Sequence, residues 1–300
     1  MKLDDVIVAG GAQLREGERL GLVRVGSRYV AHPLTGGAAL RQELVPADAV
    51  VRDGQVHLLD EGPYAAGTGL AISGCTPALS LWLRLAEILL PEQRIFWIYA
   101  NSTVALQSLA RGEVHCAGAH LFDAETGECN TPFVRRYLPD RPCVLVNLGQ
   151  WDEGLVVARG NPLGIKGVAD LLRPDVRFVN REEGTGARLL VRYRMEQAGL
   201  RPEEISGWNR IVLSQLQVVR EVASGAADAG CGAVTAANLY GLDFIPLIRI
   251  RFDLAFPVEH WETPAVQQLV GTLKHPWVRA QLTAMQGFDA SLTGEVVART

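Results

Sequence analysis

Three short segments of this 300-residue chain place hydroxyl and amide side chains beside glycine where an apolar run gives way to a helical one. They are Ser73-Gly74-Cys75-Thr76, Asn101-Ser102-Thr103 and Gly184-Thr185-Gly186-Ala187-Arg188. A helix N-terminus leaves about four N–H donors without intrahelical partners and carries roughly half a positive charge. Anions bind at such ends for that reason. In open α/β sheets these turns line the crevice in which ligands sit. One Ser/Thr turn is explained by capping alone; three in succession point to an anionic ligand.

The residues divide by chemistry. Ser73 and Thr76 read as ligand donors, whereas Ser102 and Thr103 have N-capping as an equal reason to be there. Thr185 with the amides of Gly186 and Ala187 is the foremost site, because glycine admits close backbone approach. Arg188 is either a charge partner or a solvated first-turn residue. An organic carboxylate would profit from its bidentate fork, while an oxyanion can be held by neutral donors alone. Asn130 and His120 flank a polar loop that could reach a cleft, with a structural hydrogen bond the expected role of His120. Cys75 is a nucleophile in principle, but no His–Asp partners can be located around it, so no catalytic residue is expected. Asp123, Glu125 and Glu128 lack the ordered ligands of a calcium loop, and no metal or cofactor is expected. The segment GAADAGCGA lacks the context of a nucleotide loop.

The elements that must position these turns follow a strand–turn–helix grammar. GLAIS (69–73) reads as a buried strand, Thr76 as N-cap and Pro77 as the first helical residue, with Leu79, Trp82, Leu83, Ala86 and Leu90 on one apolar face. RIFWIYA (94–100) is a second strand, before a helix stopped by Gly112. VRFVN (176–180) repeats the pattern with helices closed by Gly199 and Gly225. Two similar α/β lobes facing one another result, with crossovers near 145–155 and 245–255. Residues 1–66 differ: short alternating runs between Gly, Pro and Asp turns predict a β-rich appendage. EGPYAAGTG (61–69) reads as a linker, with the boundary near residue 67. Lobe 1 is expected over about 67–148 and 250–300, and lobe 2 over about 149–249.

Composition narrows the class. A net charge of −4 and a pI near 5.9 give no pull toward nucleic acid or anionic lipid. No window approaches the roughly 18 apolar residues of a membrane span. Five scattered cysteines without a CxxC suggest neither a disulfide framework nor a zinc site. The acidic N-terminus is unlike a signal peptide, so a cytoplasmic location is expected. Nothing in the sequence sets the oligomeric state.

Seven blocks in order then carry a resemblance: ISGC (72–75), AGAHLFDAETGECNTPFVRRYLP (117–139), GLVVARGNPLGI (154–165), FVNREEGTGAR (178–188), VASGAADAGCG (222–232), LDFIPL (242–247) and GFDASLTGE (287–295). From about residue 69 onward the chain resembles the type II periplasmic-binding-protein-like domain of molybdate-related regulators, also found fused to molybdopterin molybdenumtransferases. The resemblance implies a two-lobed fold and a ligand such as molybdate or tungstate held by hydroxyls and amides between the lobes. GLVRVGSRYVAHPLTGGAA and VPADAVVR are similar to the C-terminal β-domain of the transferase. The chain departs from the family pattern at several points. Thr185-Gly186-Ala187-Arg188 stands for Ser-Gly-Thr-Arg, Cys129 for a Tyr before Asn130, His115 for an Asp, and Leu213–Gln215 where a His is usual. The expected function is binding of a small anion linked to molybdenum-cofactor metabolism or its sensing. The rivals are an organic-acid effector domain of a regulator and an accessory to a molybdenumtransferase.

Overall fold

The computed structural model describes residues 5–34, 45–59 and 68–300. The N-terminal strands β1 (Val6–Val8), β2 (Arg19–Val25), β3 (Arg28–Pro33), β4 (Ala49–Arg52) and β5 (Gln55–Leu58) form one sheet in the order β1-β3-β2-β4-β5. Strand alternation sends Leu20, Leu22, Ala31, Ala49 and Val51 into a small core of their own. Val23, Val25 and Val30 point the other way and join Phe96, Leu109 and Val114 in the core of the next unit. The Phe96 ring lies where a β-carbon on Gly21 would be. His32 Nε2 lies 3.0 Å from the Glu113 carbonyl oxygen, and Arg94 forms an ion pair with Asp48. The expected β-rich appendage is therefore fused along one face to the larger unit. Most of the segment read as a linker (61–67) lies outside the described residues.

The larger unit begins with β6 (Leu70–Gly74), α1 (Pro77–Leu89), β7 (Ile95–Tyr99), α2 (Ser102–Ala110), β8 (Cys116–Ala119) and α3 (Thr131–Tyr137). A fifteen-residue strand, β9 (Cys143–Val157), leads to β10 (Phe178–Arg181), α4 (Gly186–Gln197), β11 (Ile211–Val212), α5 (Gln215–Ala223), β12 (Ala229–Ala233) and α6 (Val234–Leu239). A second fifteen-residue strand, β13 (Asp243–Pro257), returns to α7 (Val258–Trp261), α8 (Pro264–Gly271), α9 (Pro276–Thr283) and β14 (Val296–Arg299). The strand order is β11-β10-β12-β9-β13-β8-β6-β7, with β14 beside β9.

The antiparallel pair β9 and β13 carries the chain across both expected crossovers. β12 pairs with β9 over Glu153–Val157, whereas β8 pairs with β13 over Asp253–Ala255. Each lobe is thus built on opposite halves of the same two strands, and the result is a two-lobed α/β fold. Register shifts at Pro246/Ile248 and Phe252/Asp253 break the ladder between the halves. At the second shift the buried Asp253 accepts from Asn130 Nδ2 (2.8 Å), Asn147 Nδ2 (3.0 Å) and Arg251 Nε (2.7 Å).

Each lobe has its own core. Trp82, Leu83, Val146, Phe252 and Phe256 belong to the first, and Leu155, Phe178, Val191 and Trp208 to the second. The C-terminal helices return to the first lobe through Val266, Leu269, Val278 and Leu282, and Trp82 Nε1 donates to Thr272 Oγ1 at 2.8 Å. Gly112 and Gly225 end α2 and α5 at φ +69° and +72°, as the matched helix exits require.

Candidate functional site

The expected turns all lie at C-terminal strand ends that face one another across the lobes. Three hydrogen bonds tie the second turn and its strand to the third turn and to Leu213. Tyr99 Oη donates to the Leu213 carbonyl (3.1 Å), Asn101 Nδ2 to that of Glu183 (3.3 Å) and Thr103 Oγ1 to that of Gly184 (2.9 Å). Gly186 packs so tightly on His120 that a β-carbon there would overlap the His120 carbonyl oxygen. The lobes are closed.

The hydroxyl of Ser73, on β6, is buried and has no hydrogen-bond partner among the described residues. Two residues on, Cys75 Sγ lies 3.8 Å from His120 Nδ1, which is also 3.2 Å from Ser102 Oγ. Thr76 occupies the N-cap position of α1, but its side chain makes no capping bond. Gly74 leaves room for Leu79 and Phe252, and its carbonyl accepts from Trp97 Nε1 at 3.0 Å.

Other expected donors are committed within the fold. Asn101 Oδ1 accepts from Val104 N as an N-cap. Asn130 sits at φ +61°, a strained backbone for a non-glycine residue. Its amide bonds Leu121 N, the Arg251 carbonyl and Asp253, beside the register shift at Phe252/Asp253. Thr185 Oγ1 donates to the Glu182 carbonyl (2.9 Å) and caps α4 by accepting from Arg188 N (3.4 Å). Ala187 is buried in the second core.

Arg188 is neither an open anion partner nor solvated. It lies over the Trp208 ring (4.4 Å), donates to the Arg181 and Trp208 carbonyls, and pairs with Glu183 at 2.7 Å. Asp123 accepts from the amides of Glu125 and Thr126 and so organises its own loop. Among the described residues no group of three His, Cys, Asp or Glu side chains could hold a metal ion.

Three polar residues outside the expected set occupy the interior. Arg181, at the end of β10, is 2% exposed; its Nε and Nη2 bind Glu182, and Nη2 also reaches the Leu213 carbonyl. Burial opposes its charge, but the Glu182 hydrogen bonds help hold its pKa above the usual guanidinium value. Glu153, on β9, is fully buried. Its Oε2 accepts from Trp151 Nε1 at 2.8 Å, while Oε1 has no partner among the described residues. Desolvation pushes its pKa up to about 7, against the pull of the Trp151 bond and of Arg181. Gln215 opens α5 on the same face as Val218, Val219 and Val222, 2% exposed, with both ends of its amide unpartnered among the described residues.

Arg181 acts electrostatically on Cys75 and His120 of the first lobe and on Glu153 of the crossover. Burial pushes the Cys75 thiol up to about 12, and burial with Arg181 lowers His120 to about 4. A neutral thiol beside a neutral imidazole is not an activated nucleophile.

The family model for the PBP superfamily domain matches residues 84–274. The uncharacterized protein YvgK of Bacillus subtilis (strain 168) is 36% identical over 203 residues, 67% of this chain and 65% of that protein. The match thus spans a little under two thirds of that relative's length. Among solved structures, a putative phosphate ABC transporter substrate-binding protein with bound phosphate from Clostridium perfringens superposes with a TM-score of 0.55 at 13% identity. That likeness covers 74% of this chain and 98% of the other. The effector binding domain of QuiR in complex with shikimate gives a TM-score of 0.50 at 13% identity, over 68% and 94% of the two chains.

Proposed function

The chain belongs to the PBP superfamily, and from that premise we propose that it is a binding protein, not an enzyme, that closes two lobes on a small ligand with an anionic group at Arg181. One observation carries the reading. The buried guanidinium of Arg181 reaches the Leu213 carbonyl, the same acceptor that Tyr99 bonds from the other lobe, and buried polar atoms of Ser73, Glu153 and Gln215 have no partner among the described residues. Each such orphan costs about 1–3 kcal/mol, which a bound ligand would recover. The five unpaired cysteines fit a reducing, cytoplasmic setting.

The seven sequence blocks support molybdate or tungstate as the anion. For such a dianion Glu153 must be protonated, so that it donates to the ligand. The effector-domain rival fits the same cleft, and Arg181, not Arg188, would then meet the organic carboxylate.

Native mass spectrometry of the purified full chain, with metal analysis of the same sample, tests whether an anion co-purifies. Melting curves with molybdate, tungstate, phosphate, shikimate and a sulfate control test the cleft directly. A ligand at about a hundred times its Kd stabilises by about 2.7 kcal/mol, which is a shift of about 5–10 °C for a chain of this size. The reading fails if a bound anion shifts the melting point equally in wild type and in Arg181→Lys.

A further inference from the structure

The N-terminal sheet and the second lobe are attached to opposite ends of the same two elements of the first lobe. The three hydrogen bonds to the second lobe leave from the end of β7 and the start of α2, at Tyr99, Asn101 and Thr103. The other ends carry the sheet. Just before β7, Arg94 pairs with Asp48, and Phe96 fills the space that Gly21 leaves. Beyond α2, Glu113 Oε1 accepts from the Gly10 amide at 3.0 Å. The Glu113 carbonyl can only accept, so His32 Nε2 donates to it at 3.0 Å. His115 Nδ1 accepts from Ala71 N on β6 (3.0 Å), which leaves its Nε2 to donate to the Arg24 carbonyl of β2 at 3.1 Å.

The links between these ends are short and stiff. Phe96 and Tyr99 lie three residues apart on one strand, about 10 Å. The nine residues of α2 span about 14 Å. Ala105, Leu106 and Leu109 of that helix are fully buried in the core that Val23, Val25 and Val30 of the sheet complete. A close-packed interior passes a displacement on because it has no voids to absorb it. Opening the lobes breaks the bonds at Tyr99, Asn101 and Thr103 and lets β7 and α2 relax. Any shift of these elements moves Phe96 and Glu113 against the sheet.

We propose that docking of the N-terminal sheet and closure of the lobes are coupled through β7 and α2, each stabilising the other, so that the sheet registers whether the lobes are closed. This rests on the lobes opening and closing, as proposed above, and is independent of what they close on. Coupling is a free energy shared by two sites and is therefore reciprocal. Whatever opens the lobes loosens the sheet, and whatever undocks the sheet loosens closure by the same factor.

NMR-detected hydrogen exchange on the full, unliganded chain reads both ends. The buried ring N–H groups of His32 and His115 report docking, and the Asn101 side-chain amide, bonded to the Glu183 carbonyl, reports closure. Gly186→Ala and the double variant Tyr99→Phe/Thr103→Val open the lobes from different positions and leave every sheet contact in place. The expected result is faster exchange at Asn101 together with about fivefold or more faster exchange at both rings, the lower end of measured couplings. In the opposite direction, Gly21→Ala drives a β-carbon into the Phe96 ring and should speed exchange at the rings and at Asn101 alike. If that variant does not fold, Glu113→Ala, which removes the Gly10 bond, takes its place. Unchanged rings in a variant whose Asn101 amide exchanges faster overturn the coupling and leave the closure reading standing. So does an unchanged Asn101 amide in Gly21→Ala or its replacement. An Asn101 amide that exchanges as in wild type in both opening variants overturns the closure reading together with the coupling.

Discussion

His120 and Gly186 meet across the interlobe boundary so closely that the glycine's missing side chain is a condition of closure. A β-carbon on Gly186 would overlap the His120 carbonyl oxygen and stand 3.0 Å from the Cδ2 atom of its ring. His120 follows β8 of the first lobe, and Gly186 is the first residue of α4 in the second. Backbone on both sides leaves no flexible side chain to give way. Gly186→Ala should therefore hold the lobes apart. Helix α4 itself should be no less stable, since Ala exceeds Gly in a helix by about 0.5–1 kcal/mol. The expected outcome is an unliganded melting point at or above wild type, and ligand affinity lower by about tenfold, or 1.4 kcal/mol. Small-angle scattering should show a larger radius of gyration. A variant that closes and binds as wild type would disprove the contact.

Thr185 gives a different signature. Its hydroxyl caps α4 and bonds the Glu182 carbonyl, so its removal acts on the fold before it acts on any ligand. Thr185→Val should cost about 1 kcal/mol, as N-cap losses do, lowering the melting point by about 2–4 °C. Thr185→Ser keeps the cap and should melt as wild type. Equal melting points for Val and Ser would remove the capping role.

The strand–turn–helix grammar was legible because each turn carries its own local chemistry, namely Thr76-Pro77, Asn101 and the Gly184–Gly186 pair. The crossovers were legible from the repeated pattern on either side. Arg181, Glu153 and Gln215 were not. Glu153 lies in the run QWDEGLVV, where a charged pair reads as a turn, yet strand pairing with Ala233 and Ile248 buries it. Arg181 ends a strand beside two glutamates and looks like part of a solvated loop. Gln215 is the first residue after a cap. Which of these side chains is enclosed depends on how one lobe covers the other, a property that no single segment encodes. Thr185 and Arg188 show the converse: the turn that carries them was legible, but its groups are committed to α4 and to Trp208.

The N-terminal sheet makes a prediction of its own. Phe96 is 5% exposed and sits on β7 against Gly21 and the His32 ring, in a core that Val23, Val25 and Val30 complete. Phe96→Ala should cost about 3–5 kcal/mol, the usual range for a buried aromatic. The loss should appear as one transition, because the sheet and the first lobe share that core. Deleting residues 1–66 would bare the same surface, and the truncated chain should aggregate or melt well below the full chain. Two separate transitions in calorimetry, with the upper one unmoved by Phe96→Ala, would show instead that the sheet folds apart from the lobe.

The pH dependence of stability and of binding turns on Glu153. Its carboxyl is pushed up from 4.5 to about 7 in the unliganded protein, chiefly by desolvation. A raised carboxyl pKa means that the native state holds a proton the unfolded chain has released, so this contribution is full below about pH 4.5 and is lost as pH rises through 7. Burial acts oppositely on His32, His115 and His120, each lowered to about 4, whose contribution is present above 6.5 and is lost as pH falls toward 4. The difference between wild type and Glu153→Gln isolates the carboxyl. Unliganded wild type should lose stability relative to the variant between about pH 4.5 and 7. Binding separates the two ligand chemistries by sign. A ligand that donates to Glu153 needs the carboxylate, so its affinity should rise through pH 7, whereas an oxyanion needs the protonated acid and its affinity should fall. Calorimetry in buffers of different ionisation enthalpy reads the same distinction as proton release or uptake on binding. A pH-independent affinity, with no proton exchanged, would show that Glu153 does not touch the ligand.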